Sequence, residues 1–177
     1  DYVGDVGVAS VAIGMYSLAA AGGVVLVSAT PDVSAYVTEV AVSADEVTVE
    51  AVGQIRASGT AWGMSVSTGL STGASTVLVT TDADADAYVG GAHGTFTVRN
   101  LRVAATAQDN PAASGMTGEA KATASAGGLL LGATSTYAEA TNANTVTGRI
   151  LDGTVIHASG TVSVQALDEI EQRAEAN

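Results

Sequence analysis

Gly153 to Ala166 reads Gly-Thr-Val-Ile-His-Ala-Ser-Gly-Thr-Val-Ser-Val-Gln-Ala. It has the form of a short strand, a tight Ala-Ser-Gly turn and a second strand with alternating Val. The same device stands at Gly94–Ala105, Gly-Thr-Phe-Thr-Val-Arg-Asn-Leu-Arg-Val-Ala-Ala, and at Val40–Ala51, Val-Ala-Val-Ser-Ala-Asp-Glu-Val-Thr-Val-Glu-Ala. Aligning the second strands puts Val47, Leu101 and Val162 in register, at steps of 54 residues (47 to 101) and 61 residues (101 to 162). Self-similarity at such a period predicts an array in which each unit buries its apolar face against its neighbours.

Working outward, the units run over about 1–46, 47–100 and 101–161, with a fourth opening at 162–177. In the first, a long Ala/Gly/Val segment leads to a turn at Pro31-Asp32 and then to the alternating Val33-Ser34-Ala35-Tyr36-Val37. In the second, Ala87-Tyr88-Val89 matches Ala35-Tyr36-Val37, and Gly90-Gly91 turns the chain back. Ala57-Ser58-Gly59 and Ala113-Ser114-Gly115 read as further turns, and Asp109-Asn110-Pro111 as another. Ala140-Thr141-Asn142-Ala143-Asn144-Thr145 holds the place of an Asp-rich stretch, with Asn for Asp. The Glu-rich tail, Leu167–Ala176, is short enough to form a helical turn or to fray.

Period-two alternation with β-branched residues argues for strands. Gly costs up to about 1 kcal/mol in a helix, and it recurs in every helical window. The expected fold is all-β: a β-solenoid resembling a parallel β-helix, with about three repeats of 54–61 residues, two or three strands to each.

Composition sharpens this. Of 177 residues, 47% are hydrophobic, yet there is one Phe and one Trp, while Gly numbers 21. Such side chains cannot fill a core of ordinary thickness at close-packed density. A thin core of Ala, Gly, Val and Ser follows. Gly7–Ala29 carries no charge and is long enough to span a bilayer. Its four Gly and its Ser/Thr-rich counterpart, Trp62–Thr80, argue against a membrane helix.

The net charge of −12, from 18 acids and 6 bases, disfavours nucleic-acid binding and keeps an edge-rich molecule soluble. With no Cys, disulfides and thiolate metal sites are excluded. The chain starts with Asp and reads as a mature product or a piece of something longer.

The Ala/Gly/Val-rich segment, the Ala-Tyr-Val strand, and the pairing of Gly-Thr-Val (153–155) with Gly-x-Val-x-Val-x-Ala (160–166) together resemble the repeats of very large secreted bacterial adhesins, of the filamentous-haemagglutinin-like and leukotoxin-like kind. The resemblance implies an extracellular or surface-attached solenoid that builds a fibre or projects an adhesive region toward a host or neighbouring cell. It implies no catalytic residues and no cofactor. The departures are the unequal steps.

Candidate chemistry is sparse. His93 and His157 read as exposed turn residues without partners for a metal or for acid–base work. Ser67 and Ser71 flank Gly69 without a nucleophile elbow. Asp82, Asp84 and Asp86 are the sharpest feature, because period-two spacing puts them on one strand face, roughly 7 Å apart. They either face solvent or hold a cation, and Ca²⁺ takes oxygen ligands of this type. A β-helix enzyme acting on polysaccharide is the alternative to a fibre, and a calcium-linked matrix protein is a third reading. Val3, Val6 and Val8 at one end, and Val162 and Val164 at the other, are expected in open-edged strands that stack end to end into filaments.

Overall fold

Alternation along each apolar run produces strands whose every second residue faces inward. A computed structural model describes residues 2–13, 17–110 and 117–177, and among these every regular element is a strand. In chain order these are β1 (Tyr2–Ala12), β2 (Leu18–Ala29), β3 (Asp32–Thr38), β4 (Ala41–Ile55), β5 (Ala57–Ser67), β6 (Leu70–Thr81) and β7 (Asp84–Gly90). They continue as β8 (Thr95–Asp109), β9 (Gly118–Gly128), β10 (Leu131–Asn142), β11 (Thr145–Leu151), β12 (Val155–Ala158), β13 (Val162–Glu169) and β14 (Gln172–Ala176).

The strands stack as four parallel sheets. Sheet A has the order β1-β5-β9-β14, sheet B β10-β6-β2 and sheet C β11-β7-β3, while in sheet D β8 pairs with β4 on one side and with β12 and β13 on the other. The chain visits A, B, C and D in turn and then returns to A one level on, so it is a β-solenoid. Each circuit lays down four walls, against the two or three strands expected. Strands of up to 15 residues use the circuit's length in straight runs.

Val47, Leu101 and Val162 are in register in sheet D, and Ala35-Tyr36-Val37 lies beside Ala87-Tyr88-Val89 in sheet C. The unequal steps have one source. Ile55 pairs with Asp109, 54 residues on, whereas Ala57 pairs with Gly118, 61 on. Seven extra residues therefore enter between Asp109 and Gly118 and carry the longer step into the next circuit. Ala113-Ser114-Gly115 and Pro111 lie outside the described residues.

The interior tapers. At the wide end of sheets A and B, Val25, Val27, Val77 and Val79 pack with Ile55, Ala57 and Ala61. Toward the A–B turn the inward residues of β6 shrink to Ser75, Gly73 and Ser71. A Cβ on Gly73 would stand 2.7 Å from the Ser125 carbonyl oxygen, so the two sheets there are almost in backbone contact. Ser75 is buried and donates its hydroxyl to the Thr123 carbonyl oxygen at 2.9 Å. Sheets C and D enclose the bulkier cluster of Val89, Phe96, Val98, Leu101 and Val103.

Three local expectations are corrected. Ala57-Ser58-Gly59 is not a turn but the start of β5. Gly59 is there because a Cβ would meet Val77 Cγ1 at 2.8 Å and Val25 Cγ1 at 3.1 Å. The tail neither forms a helical turn nor frays: it continues β13 to Glu169 and then pairs as β14 with β9, whose backbone would otherwise be unpaired on that side. His157 belongs to β12, and the turn occupies the next residues, Ser159-Gly160. Gly90 and Gly91 do turn the chain, with φ of +106° and +107° that only Gly adopts readily.

Candidate functional site

Sheet C carries the acidic column. Ala83, Ala85 and Ala87 face inward and are buried, so the alternation turns Asp82, Asp84 and Asp86 outward, as the spacing predicts. Asp82 lies in the corner before β7. Asp86 Oδ2 accepts a hydrogen bond from Arg149 Nη2 at 2.7 Å, one level away. The same guanidinium lies 5.1 Å from the centre of the Tyr88 ring, which stacks on Tyr36 at 5.1 Å and 9°. A Tyr–Tyr–Arg ladder thus runs beside the acids, with a cation–π contact at one end. The repeated Ala-Tyr-Val strand signals the tyrosine pair, but nothing local in the sequence announces Arg149.

Asp84 has Asp32 as its register partner on one side and Thr145 on the other. Among the described residues no three His, Asp or Glu side chains converge as a metal site. The Asn residues that follow do not replace the Asp. Asn142 is level with Thr81, and Asn144 accepts a hydrogen bond from the Ala83 N–H at 2.7 Å, one residue out of phase with the acids. Both Asn side chains donate to Asp168.

Like charges opposite each other on neighbouring strands destabilise a sheet. Asp84→Asn should therefore raise stability by about 0.2–1 kcal/mol at low salt, and by less when salt screens the pair. Thermal unfolding in chelator measures this. A wild-type melting temperature that falls when calcium is stripped, with Asp84→Asn indifferent, would make the column a cation site instead.

Sheet D carries a groove. Its inward alternation runs through Phe96 and Val98 and then shifts phase to Leu101 and Val103, so the wall bends at 99–100. Around the bend an open depression of about 660 Å³ is lined by Ser43, Asp45, Thr97, Arg99, His157 and Ser159. Ser43, Thr97 and His157 form one column at successive levels. Two levels are about 10 Å, so Ser43 and His157 are beyond hydrogen-bond reach of each other. Asp45 and Arg99 pair at 2.6 Å with both side chains more than half exposed, and solvent weakens such a pair.

The remaining candidates stay apart from these features. His93 is exposed in the turn after Gly91, and its N–H donates to Glu39 Oε2 at 3.3 Å. Ser67 and Ser71 face the interior and are buried. On the open surface, the Tyr137 phenol is held above its ordinary pKa by its hydrogen bond to Glu139 and that group's charge. Glu175 is held below the usual carboxylate value by Asn177's hydrogen bond and then by the charge of Lys121. Neither group lies in the groove or the acidic column. No helix among the described residues is long and apolar enough to cross a membrane. No family model matches this chain, and no curated protein or solved structure is significantly similar to it.

Proposed function

We propose that this chain is a structural and adhesive segment of a bacterial fibre, secreted or held at the cell surface, with no catalysis of its own, and that copies stack end to end. The resemblance to adhesin repeats supports the setting. One observation carries the stacking. Val162 and Val164 continue the column of Leu101 and Val103, yet they are 43% and 42% exposed where Leu101 and Val103 are 1% and 0%. Among the described residues β13 pairs on one side only, with β8. An apolar column and an unpaired strand edge at one level form a surface suited to another parallel strand. Val3, Val6 and Val8 lie in β1, at the opposite edge of the stack, which among the described residues pairs only with β5. The elongated outer strips are then the surfaces offered to a host or neighbouring cell.

Light scattering across concentration should show a mass that grows without closing, and electron microscopy should show filaments one solenoid wide. Val162→Lys with Val164→Lys should stop the growth. A mass that stays at one chain throughout would overturn the stacking.

The groove on sheet D favours the second reading, an enzyme acting on polysaccharide. Glycoside hydrolysis ordinarily takes two carboxylates flanking the bond. The groove lining offers one, Asp45, already paired with Arg99. Incubation with a panel of polysaccharides should release no reducing ends. Release that Asp45→Asn abolishes would establish the enzyme.

A further inference from the structure

We propose that β14 is a displaceable guard on the stacking end of the solenoid, holding the edge of β9 that β1 of an incoming copy takes when two chains join. This rests on the end-to-end reading and names what each joint must first remove.

Sheet A is four levels deep, while sheets B, C and D are three. An incoming copy that lays its β2, β3 and β4 on β10, β11 and the outer level of sheet D brings its β1 to the fourth level of sheet A. β14 already stands there, paired with β9 from Gln172 beside Gly118 to Ala176 beside Ala122. Left in place, it holds the newcomer one strand spacing further out, about 4.8 Å, and sheets B, C and D then cannot pair across the joint. One of the two strands has to give way, and length decides which. β14 offers five residues. β1 matches β9 over its full eleven, since Tyr2 to Ala12 align with Ala57 to Ser67, and these with Gly118 to Gly128. Losing β1 would exchange eleven paired residues for five, and losing β14 does the reverse.

β14 is also lightly held. None of its five residues is buried. Just past it, the Asn177 N–H donates to the Ala122 carbonyl oxygen at 2.9 Å, and Gln172 Nε2 donates to Thr81 Oγ1 at 2.9 Å. Beyond Ala124 the outer edge of β9 pairs with no strand among the described residues, which leaves an open stretch where an incoming β1 can start. Asp168, Glu169, Glu171 and Glu175 stand in this segment against Arg173 alone. A short, charged edge strand is how sheets are kept from pairing with other chains. The other sheets meet like with like. The incoming Val47 and Val49 continue the column of Val162 and Val164, and the incoming Tyr36 comes level with the outer side of Arg149, whose inner side lies over Tyr88.

The chain has no Cys, so a disulfide can lock the guard. Glu119 and Arg173 are register partners on the outward side of β9 and β14, and adjacent strands bring Cα atoms within the span that a disulfide bridges. Glu119→Cys with Arg173→Cys, closed as thiol titration shows, should stay at one chain in light scattering, and reduction should restore growth. Glu175→Pro lies two residues before Asn177 and so removes an N–H on the same side of the ladder. It should start growth at a concentration at least about tenfold lower. Ala9→Cys with Ser125→Cys reads the exchange itself. Within one chain Met64 lies between the two positions, which are two levels or about 10 Å apart, too far for a disulfide. Across a joint they are neighbours, so oxidation should give a ladder of covalent multimers. Equal growth of the oxidised and reduced lock would overturn the proposal and leave the stacking intact. So would filaments whose Ala9→Cys, Ser125→Cys pair stays unbonded under oxidant. A reduced lock that never grows would overturn the stacking and this proposal with it.

Discussion

Phe96→Ala should lower the free energy of unfolding by about 3–5 kcal/mol, the range for removing a buried aromatic ring. Phe96 is the one Phe of the chain and is 0% exposed. It packs among Val89, Val98 and Leu101, with Val42 and Ile156 as its register partners above and below. Most of the remaining interior is Ala, Val, Ser and Gly, so the surroundings close only part of the space the ring would leave. Domains of this size are stable by about 5–15 kcal/mol, so the change removes a large share of the total. Phe96→Leu, which keeps most of the volume, should cost less than half as much. Chemical denaturation of the three proteins measures the effect. A loss below about 1 kcal/mol for the Ala variant would mean that the ring is not the centre of the C–D core.

Gly73→Val should destabilise by at least about 3 kcal/mol, the upper range for overpacking. Strand propensity argues the opposite sign, because Val suits a strand and Gly weakens one. The contact decides. A Cβ at Gly73 would sit 2.7 Å from the Ser125 carbonyl oxygen and 3.4 Å from that of Gly63. Both are backbone atoms, and Ser125 is held in β9 by pairing with Met64. To admit one methyl the two sheets would have to separate along the thin end of the wedge. Gly53→Ala is the matched control, since its nearest atom, the Thr106 oxygen, is 3.8 Å away. That change should be neutral or should stabilise by about 0.4–1 kcal/mol through the unfolded chain. Thermal melts of both variants test the pair, and equal effects would refute the wedge.

Much of the architecture is legible in the chain because it is written in local pattern. Alternation decides strand and facing within a few residues, which is why Asp82, Asp84 and Asp86 point outward around three buried Ala. Like stacks on like in a solenoid, which is why matching strands such as Ala35-Tyr36-Val37 and Ala87-Tyr88-Val89 become neighbours, and why Val47, Leu101 and Val162 share a column. What the pattern does not contain is the partner across the interior. Ala57-Ser58-Gly59 has the residues of a turn and is a strand, because Gly59 clears space for Val77 and Val25 from the facing sheet. Arg149 has no local mark. It meets Asp86 and Tyr88 only because seven residues between Asp109 and Gly118 advance the register of the following circuit. The tail shows no strand pattern stronger than its helical one and becomes β14 because β9 offers it an edge. Local alternation determined the class of fold and which way each side chain faces. Only tertiary structure decided that Gly59 lies in a strand, which glycines let two sheets touch, and which charges meet, since each depends on a residue brought close by the stack rather than by the sequence.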